Sequence, residues 1–176
     1  MGDLDRLGTF KQQGDRFELR FERHYPHPIE AVWSALTDPK RLEDWMGSAE
    51  VEPRIGGRFN LMVNDSQPST GRISVWEPPS VLEFSWSNAS ARDAVARYEL
   101  TRDGDGTRML FIHEGIPNAS RALMLPGWHF RFLRLSTALN AGINPRATPN
   151  YRELQLLYID HYKLTDPTLG ACKSTD

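Results

Sequence analysis

The residue best placed to do chemistry is His113. In the stretch GTRMLFIHEG, Met109, Phe111 and His113 fall on one row of an alternating strand, and Leu110 and Ile112 on the other. An imidazole at the end of an aromatic row can orient a ligand carbonyl or phenol, or act as a general acid or base. It can equally be a structural histidine bonded to backbone, since Glu114 points to the opposite face and no orienting carboxylate stands nearby. A set of large side chains accompanies it: Trp33, Trp45, Phe59, Phe84, Trp86, Tyr98, Met109, Phe111, Trp128 and Phe132. Aromatics offer flat surfaces with few rotors to freeze, as a pocket for a planar or hydrophobic ligand requires. The same residues can also fill a solid core.

Other reactive types form no constellation. Arg58 follows Gly56-Gly57 and could reach an acidic ligand group, but alternation with Phe59 points it outward into solvent. His24, His27, His129 and His161 show no metal-ligand spacing, so no metal is expected. The serines lie in loops without a nucleophile elbow, and Gly56-Gly57 and Asp103-Gly104-Asp105-Gly106 lack any nucleotide-binding context. No catalytic residue is therefore assigned, and no cofactor is expected.

These residues need a scaffold, and composition bounds it. The 176 residues suit one domain with an appendage, 25% charged and 39% apolar. A net charge of −2 without a basic run gives no general attraction to nucleic acid or anionic membrane. No apolar stretch approaches the roughly 20 residues needed to span a bilayer. The polar N-terminus does not read as a signal peptide, and the single cysteine, Cys172, rules out an intramolecular disulfide. The expected compartment is cytoplasmic.

Along the chain, residues 1–15 read as a loose arm. RFELRFERHY alternates as a strand with one wet face. HPIEAVWSALTDP and KRLEDWMG follow with helical period, the first presenting Ile29, Val32, Trp33 and Leu36. From Glu50 to Gly115 the text is strand and turn. Gly56-Gly57 suggests a bulge or close backbone approach, and the DGDG segment the tip of a hairpin. LPGWHFRFLRLSTALNAG then spaces Trp128, Phe132, Leu135 and Leu139 along one helical face, with Pro126 in the first turn, Arg131 and Arg134 off the stripe, and Gly142 and Pro145 as a stop. A further helix is expected over about residues 150–164, capped by Asn150 and carrying Tyr151, Leu154, Leu157 and Tyr158. Its stripe matches the apolar outer row Leu110 and Ile112, so it should pack over that row or across a cavity mouth. The linker Ile143–Pro149 leaves open a hand-over to a second subunit in a homodimer.

The motifs HPIEAVWSALTDP, Trp45-Met46-Gly47, RIGGRF, WEPPSVLEFSW, GTRMLFIHEG and Gly127-Trp128 together resemble the SRPBCC superfamily, and within it the homologues of the heat-shock chaperone ATPase activator. The resemblance covers about residues 16–142. It implies an α+β helix-grip fold, with an antiparallel sheet of about seven strands around a long helix and two short helices after the first strand. It also implies an elongated apolar cavity of roughly 300–1,000 Å³ between them. The members of the superfamily often carry a histidine at the place of His113. Three functions follow from this kinship. The first is binding of a small hydrophobic, aromatic molecule by the eleven residues named above, His113 included. The second is a polyketide aromatase or cyclase, or an antibiotic self-resistance protein. The third is a co-chaperone, set last because the eukaryotic activator's extra N-terminal domain has no counterpart here, so a chaperone partner is not expected.

Overall fold

A computed structural model of the chain describes residues 6–62, 68–89, 91–140 and 150–167. In chain order its elements are β1 (Thr9–Gln13), β2 (Arg16–Tyr25), α1 (Ile29–Thr37), α2 (Pro39–Trp45), β3 (Ser48–Val51), β4 (Phe59–Met62) and β5 (Pro68–Ser69). There follow β6 (Ile73–Glu77), β7 (Val81–Trp86), β8 (Ala94–Asp103), β9 (Gly106–Pro117), a 3-10 turn (Asn118–Ser120), α3 (Arg121–Leu139) and α4 (Tyr151–Tyr162). Six strands make one antiparallel sheet in the order β1-β2-β9-β8-β7-β6, and β3-β4-β5 make a second. Backbone bonds from Ile73 to Gly57 and from Phe59 to Gly71 join the two, so the smaller sheet continues the curl of the larger. The core lies between the concave face of the large sheet and α3. The fold is the expected α+β helix grip, with six plus three strands in place of a single run of about seven.

Local chemistry accounts for most of these elements. In β2 the inward row runs Phe17, Leu19, Phe21, Arg23, Tyr25, all buried, and the intervening residues are exposed or half-buried. The Asp38 side chain accepts a bond of 3.0 Å from the Lys40 backbone N–H, and Pro39 opens α2, where its missing N–H has no cost. At the expected Gly-Gly site, Gly56 takes φ +76, and a Cβ on Gly57 would lie 2.2 Å from the Glu52 carbonyl oxygen. The close backbone approach therefore holds at Gly57, whereas Gly56 lies in the turn between β3 and β4 and not in a strand bulge.

Three expectations change. Residues 9–13, inside the presumed loose arm, form β1 and pair with β2 from Thr9↔Arg20 to Gln13↔Arg16. The polar composition of this edge strand hides it from a search for alternating apolar residues. Next, α3 begins at Arg121, one turn before the expected start, which puts Pro126 inside the helix. Gly142 and Pro145, the expected stop, lie outside the described residues, and the helix ends at Leu139 with Asn140 as its cap.

The third change concerns the tail. α4 does form, capped by Asn150 accepting from the Arg152 N–H at 2.9 Å, but it docks on α3 and on the segment before β1, not over Leu110 and Ile112. Its buried residues are Leu154, Gln155 and Tyr158, whereas Leu157 is exposed. The Tyr158 hydroxyl accepts from the Gly8 N–H at 2.7 Å and meets His129 Nδ1 at 3.0 Å, and the Tyr162 hydroxyl donates to the Gly8 carbonyl at 2.8 Å. These polar contacts, which apolar periodicity does not register, choose the side. Around Ile112 the outer face of β9 is flanked instead by charged side chains, Glu18, Arg20, Arg97 and Glu114 among them, and Leu110 and Ile112 stay half-buried.

Candidate functional site

His113 stands at the meeting point of sheet and helix. β9 delivers it in the expected row, since Met109, Phe111 and His113 are all fully buried. Directly after it the pairing of β2 with β9 slips, Phe17 facing Ile116 while Leu19 faces His113. Gly115, at φ +77, supplies the kink. Without this bulge alternation would turn Gly115 inward; with it, His113 and Ile116 both face the core.

The state of the imidazole follows from its partner. Trp128 Nε1–H on α3 donates to His113 Nδ1 at 3.0 Å, so Nδ1 is the acceptor and the proton of the neutral ring sits on Nε2. Burial pushes the ring's pKa down to about 3, with the nearby Arg131 cation acting the same way. His113 is therefore neutral at physiological pH and presents one N–H. Nε2 finds no hydrogen-bond partner among the described residues, nor does Nε1 of Trp86, whose ring centroid lies 5.4 Å away. The two rings meet edge to face, and native cores seldom leave two buried donors without acceptors unexplained.

The aromatic residues gather around this pair. Phe59 stacks on Phe84 at 4.0 Å between centroids, Tyr98 lies against Phe111 at 4.7 Å, and Phe111 against Trp128 at 4.3 Å. Trp86 meets Trp128 edge to face, and Phe132 continues the series to Trp45. Trp33 stands apart: it is half-buried on α1 and its ring contact is Trp76. Arg58 lies in solvent, as its alternation indicates, with its guanidinium 2.9 Å from Glu50 and 3.0 Å from Glu52. The rings of the set pack on one another between sheet and helix. Hollows of about 400 Å³ and about 350 Å³ lie elsewhere, along β3–β5 and between the start of α3 and Tyr162–Thr165.

Two arginines belong to the interior that sequence reading did not place there. Arg23 is 1% exposed, its guanidinium carbon 5.0 Å from the Phe21 ring centroid; sharing the parity of Phe17, Leu19 and Phe21 was the available signal. Arg131 is half-buried on α3 with its guanidinium carbon 5.4 Å from the Trp128 ring centroid. No periodicity announces it, because it sits on the flank of the buried stripe.

Among the described residues no three His, Cys, Asp or Glu side chains gather closely enough to hold a metal ion, and no helix is long and apolar enough to cross a membrane. A curled antiparallel sheet gripping a long helix is the helix-grip architecture of the SRPBCC superfamily. Within it the chain belongs to the family described as Activator of Hsp90 ATPase homolog 1-like protein, which matches residues 26–140. No curated protein matches the chain. Among solved structures, CalU16 from Micromonospora echinospora is similar at a TM-score of 0.71 and 23% identity, over 90% of this chain and 95% of its own. MLL2253 from Mesorhizobium loti aligns with a TM-score of 0.64 and 28% identity, over 72% of this chain and 99% of its own. DynU16, a protein in the dynemicin biosynthetic locus, aligns with a TM-score of 0.66 and 23% identity, over 76% of this chain and 50% of its own.

Proposed function

We propose that the protein binds a small, planar hydrophobic molecule between the large sheet and α3, and that His113 Nε2–H donates to a carbonyl or phenol oxygen of that molecule. The observation that carries this reading is the fully buried imidazole with a fixed tautomer and an N–H lacking an acceptor among the described residues, set beside the equally unpaired Trp86 N–H. Ligand oxygens supply the acceptors that these two donors lack. The surrounding rings supply faces for stacking. Because they touch one another, a ligand enters as rings turn aside, which costs affinity that the hydrogen bonds help to offset. The kinship in fold with a protein of a biosynthetic locus accords with a small organic ligand.

The same geometry favours binding over cyclase chemistry. Nδ1 is engaged by Trp128 and the ring holds a single proton down to about pH 3, so His113 donates a hydrogen bond but does not take up a proton at neutral pH. The test combines native mass spectrometry of the purified protein with a titration of 2-acetonaphthone, an aromatic ketone, followed by tryptophan quenching. Binding is expected, with His113→Phe, which keeps ring volume but removes the donor, weakening it about 3- to 10-fold. An undiminished affinity in that variant removes His113 from the reading. A cyclised product released from an added open-chain precursor would replace binding by catalysis.

A further inference from the structure

The half-buried Arg131 guanidinium has no counter-charge among the described residues. The other two arginines of α3 are provided for: Arg121 Nε donates to the Asn118 carbonyl at 3.1 Å, and Arg134 to the Asp44 carbonyl at 3.2 Å. Arg131 makes neither ion pair nor hydrogen bond among the described residues; its contact is the face of Trp128. Gly127, one turn back, leaves room for it, since a Cβ there would lie 3.2 Å from Arg131 Nη1. Trp128 thereby joins two parts of one wall, its ring face carrying Arg131 and its Nε1–H orienting His113.

The titratable and charged groups acting on Arg131 are Tyr98, Tyr151 and Arg134, with no carboxylate among them. Burial lowers the proton affinity of the guanidinium, and Arg131 in turn acts on both Tyr98 and His113. Around Trp128 the groups without a hydrogen-bond partner among the described residues are donors: the guanidinium over its ring, the His113 Nε2–H and the Trp86 Nε1–H. A half-buried cation without a counter-charge loses part of its hydration, and the two buried donors, without acceptors among the described residues, are satisfied only from outside the fold.

We propose that Arg131 receives the carboxylate of the ligand, so that the molecule bound is an aromatic or polycyclic carboxylic acid in its ionised form. This rests on the reading of the interior as a ligand site and adds the charge of the ligand to it. The planar fork of a guanidinium matches the two oxygens of a carboxylate, and the Trp128 face beneath holds the fork flat. The ligand's rings take the aromatic wall, and His113 and Trp86 serve a second oxygen.

Calorimetric titration of the full chain at pH 7.5 with two probes of equal ring size, 2-naphthoate and 2-acetonaphthone, decides the matter. The wild type should bind the acid about 10- to 100-fold more tightly than the ketone. R131Q should lose that preference while the ketone still binds, which also shows that the variant is folded. R131K should keep part of it, and R134Q, which removes the same charge from the same helix, should keep all of it. Equal affinities in the wild type, or a preference that survives R131Q, overturn the proposal and leave the binding site itself standing. If neither probe binds the wild type, the site reading falls and this inference with it.

Discussion

A single hydrogen bond sets the character of His113. By taking the Nδ1 lone pair, Trp128 leaves the imidazole a donor, and burial keeps it one. The consequence for stability has a definite sign. In the unfolded chain the ring takes its proton near pH 6.5, and in the fold only at about 3. Between those values the unfolded state binds the more protons, so the stability that the neutral ring supports is full above about pH 6.5 and declines as pH falls toward 3. The slope from this one group approaches about 1.4 kcal/mol per pH unit. Urea midpoints of wild type and His113→Phe at pH 7.5, 6 and 5 should converge on acidification, because the variant lacks this proton uptake. Parallel curves would mean that His113 titrates alike in both states.

The helix α3 contains a break that α4 mends. Pro126 has no N–H, so the Ala122 carbonyl, four residues earlier, lacks its helical donor. The Gln155 side chain, 3% exposed on α4, donates to that oxygen at 3.0 Å and is itself held by Arg152 at 2.5 Å. A proline inside the gripped helix and a buried glutamine on the tail helix thus explain each other. Gln155→Ala should cost about 1–3 kcal/mol, the penalty of a buried carbonyl left without a donor. In a Pro126→Ala background, where residue 126 regains its N–H, the same change should cost markedly less, a coupling on the order of 1 kcal/mol. A double-mutant cycle by urea denaturation measures it. Equal costs in both backgrounds would show that the proline and the glutamine act independently.

Across the whole molecule α4 binds the first described residues to α3. Tyr158, fully buried, takes the Gly8 N–H and reaches His129, while Tyr162 takes the Gly8 carbonyl and packs on Phe10 at 5.1 Å. Gly8 itself has no room for a side chain, since a Cβ would stand 2.2 Å from the Phe21 ring. Deleting residues 150–176 removes three buried side chains and strips partners from Gly8, His129 and Ala122. At roughly 1.5–3 kcal/mol for each large apolar side chain fully buried, thermal melting should fall by about 10 °C or more. An unchanged midpoint would reduce α4 to an ornament of the fold.

Most local order was legible in the sequence alone, the polar strand β1 excepted. The inward row of β2, the α1 stripe, the β8–β9 hairpin and the Met109-Phe111-His113 row were legible because alternation and helical period act over a few residues. So was the ring set, apart from Trp33, because large apolar side chains on inward rows have one place to go. Tertiary structure alone decided the rest, and each case involves partners distant in sequence. Whether His113 donates or accepts depends on a tryptophan 15 residues away. Arg131 turned out to be a half-buried cation beside the aromatic set because a flank residue takes its surroundings from whatever faces the helix, here Trp128, Tyr98 and Tyr151. The side on which α4 docks was settled by hydroxyl and amide groups finding Gly8, His129 and the carbonyl freed by Pro126. Apolar period carries no information about such bonds, since it records which residues avoid water and not which polar atoms meet.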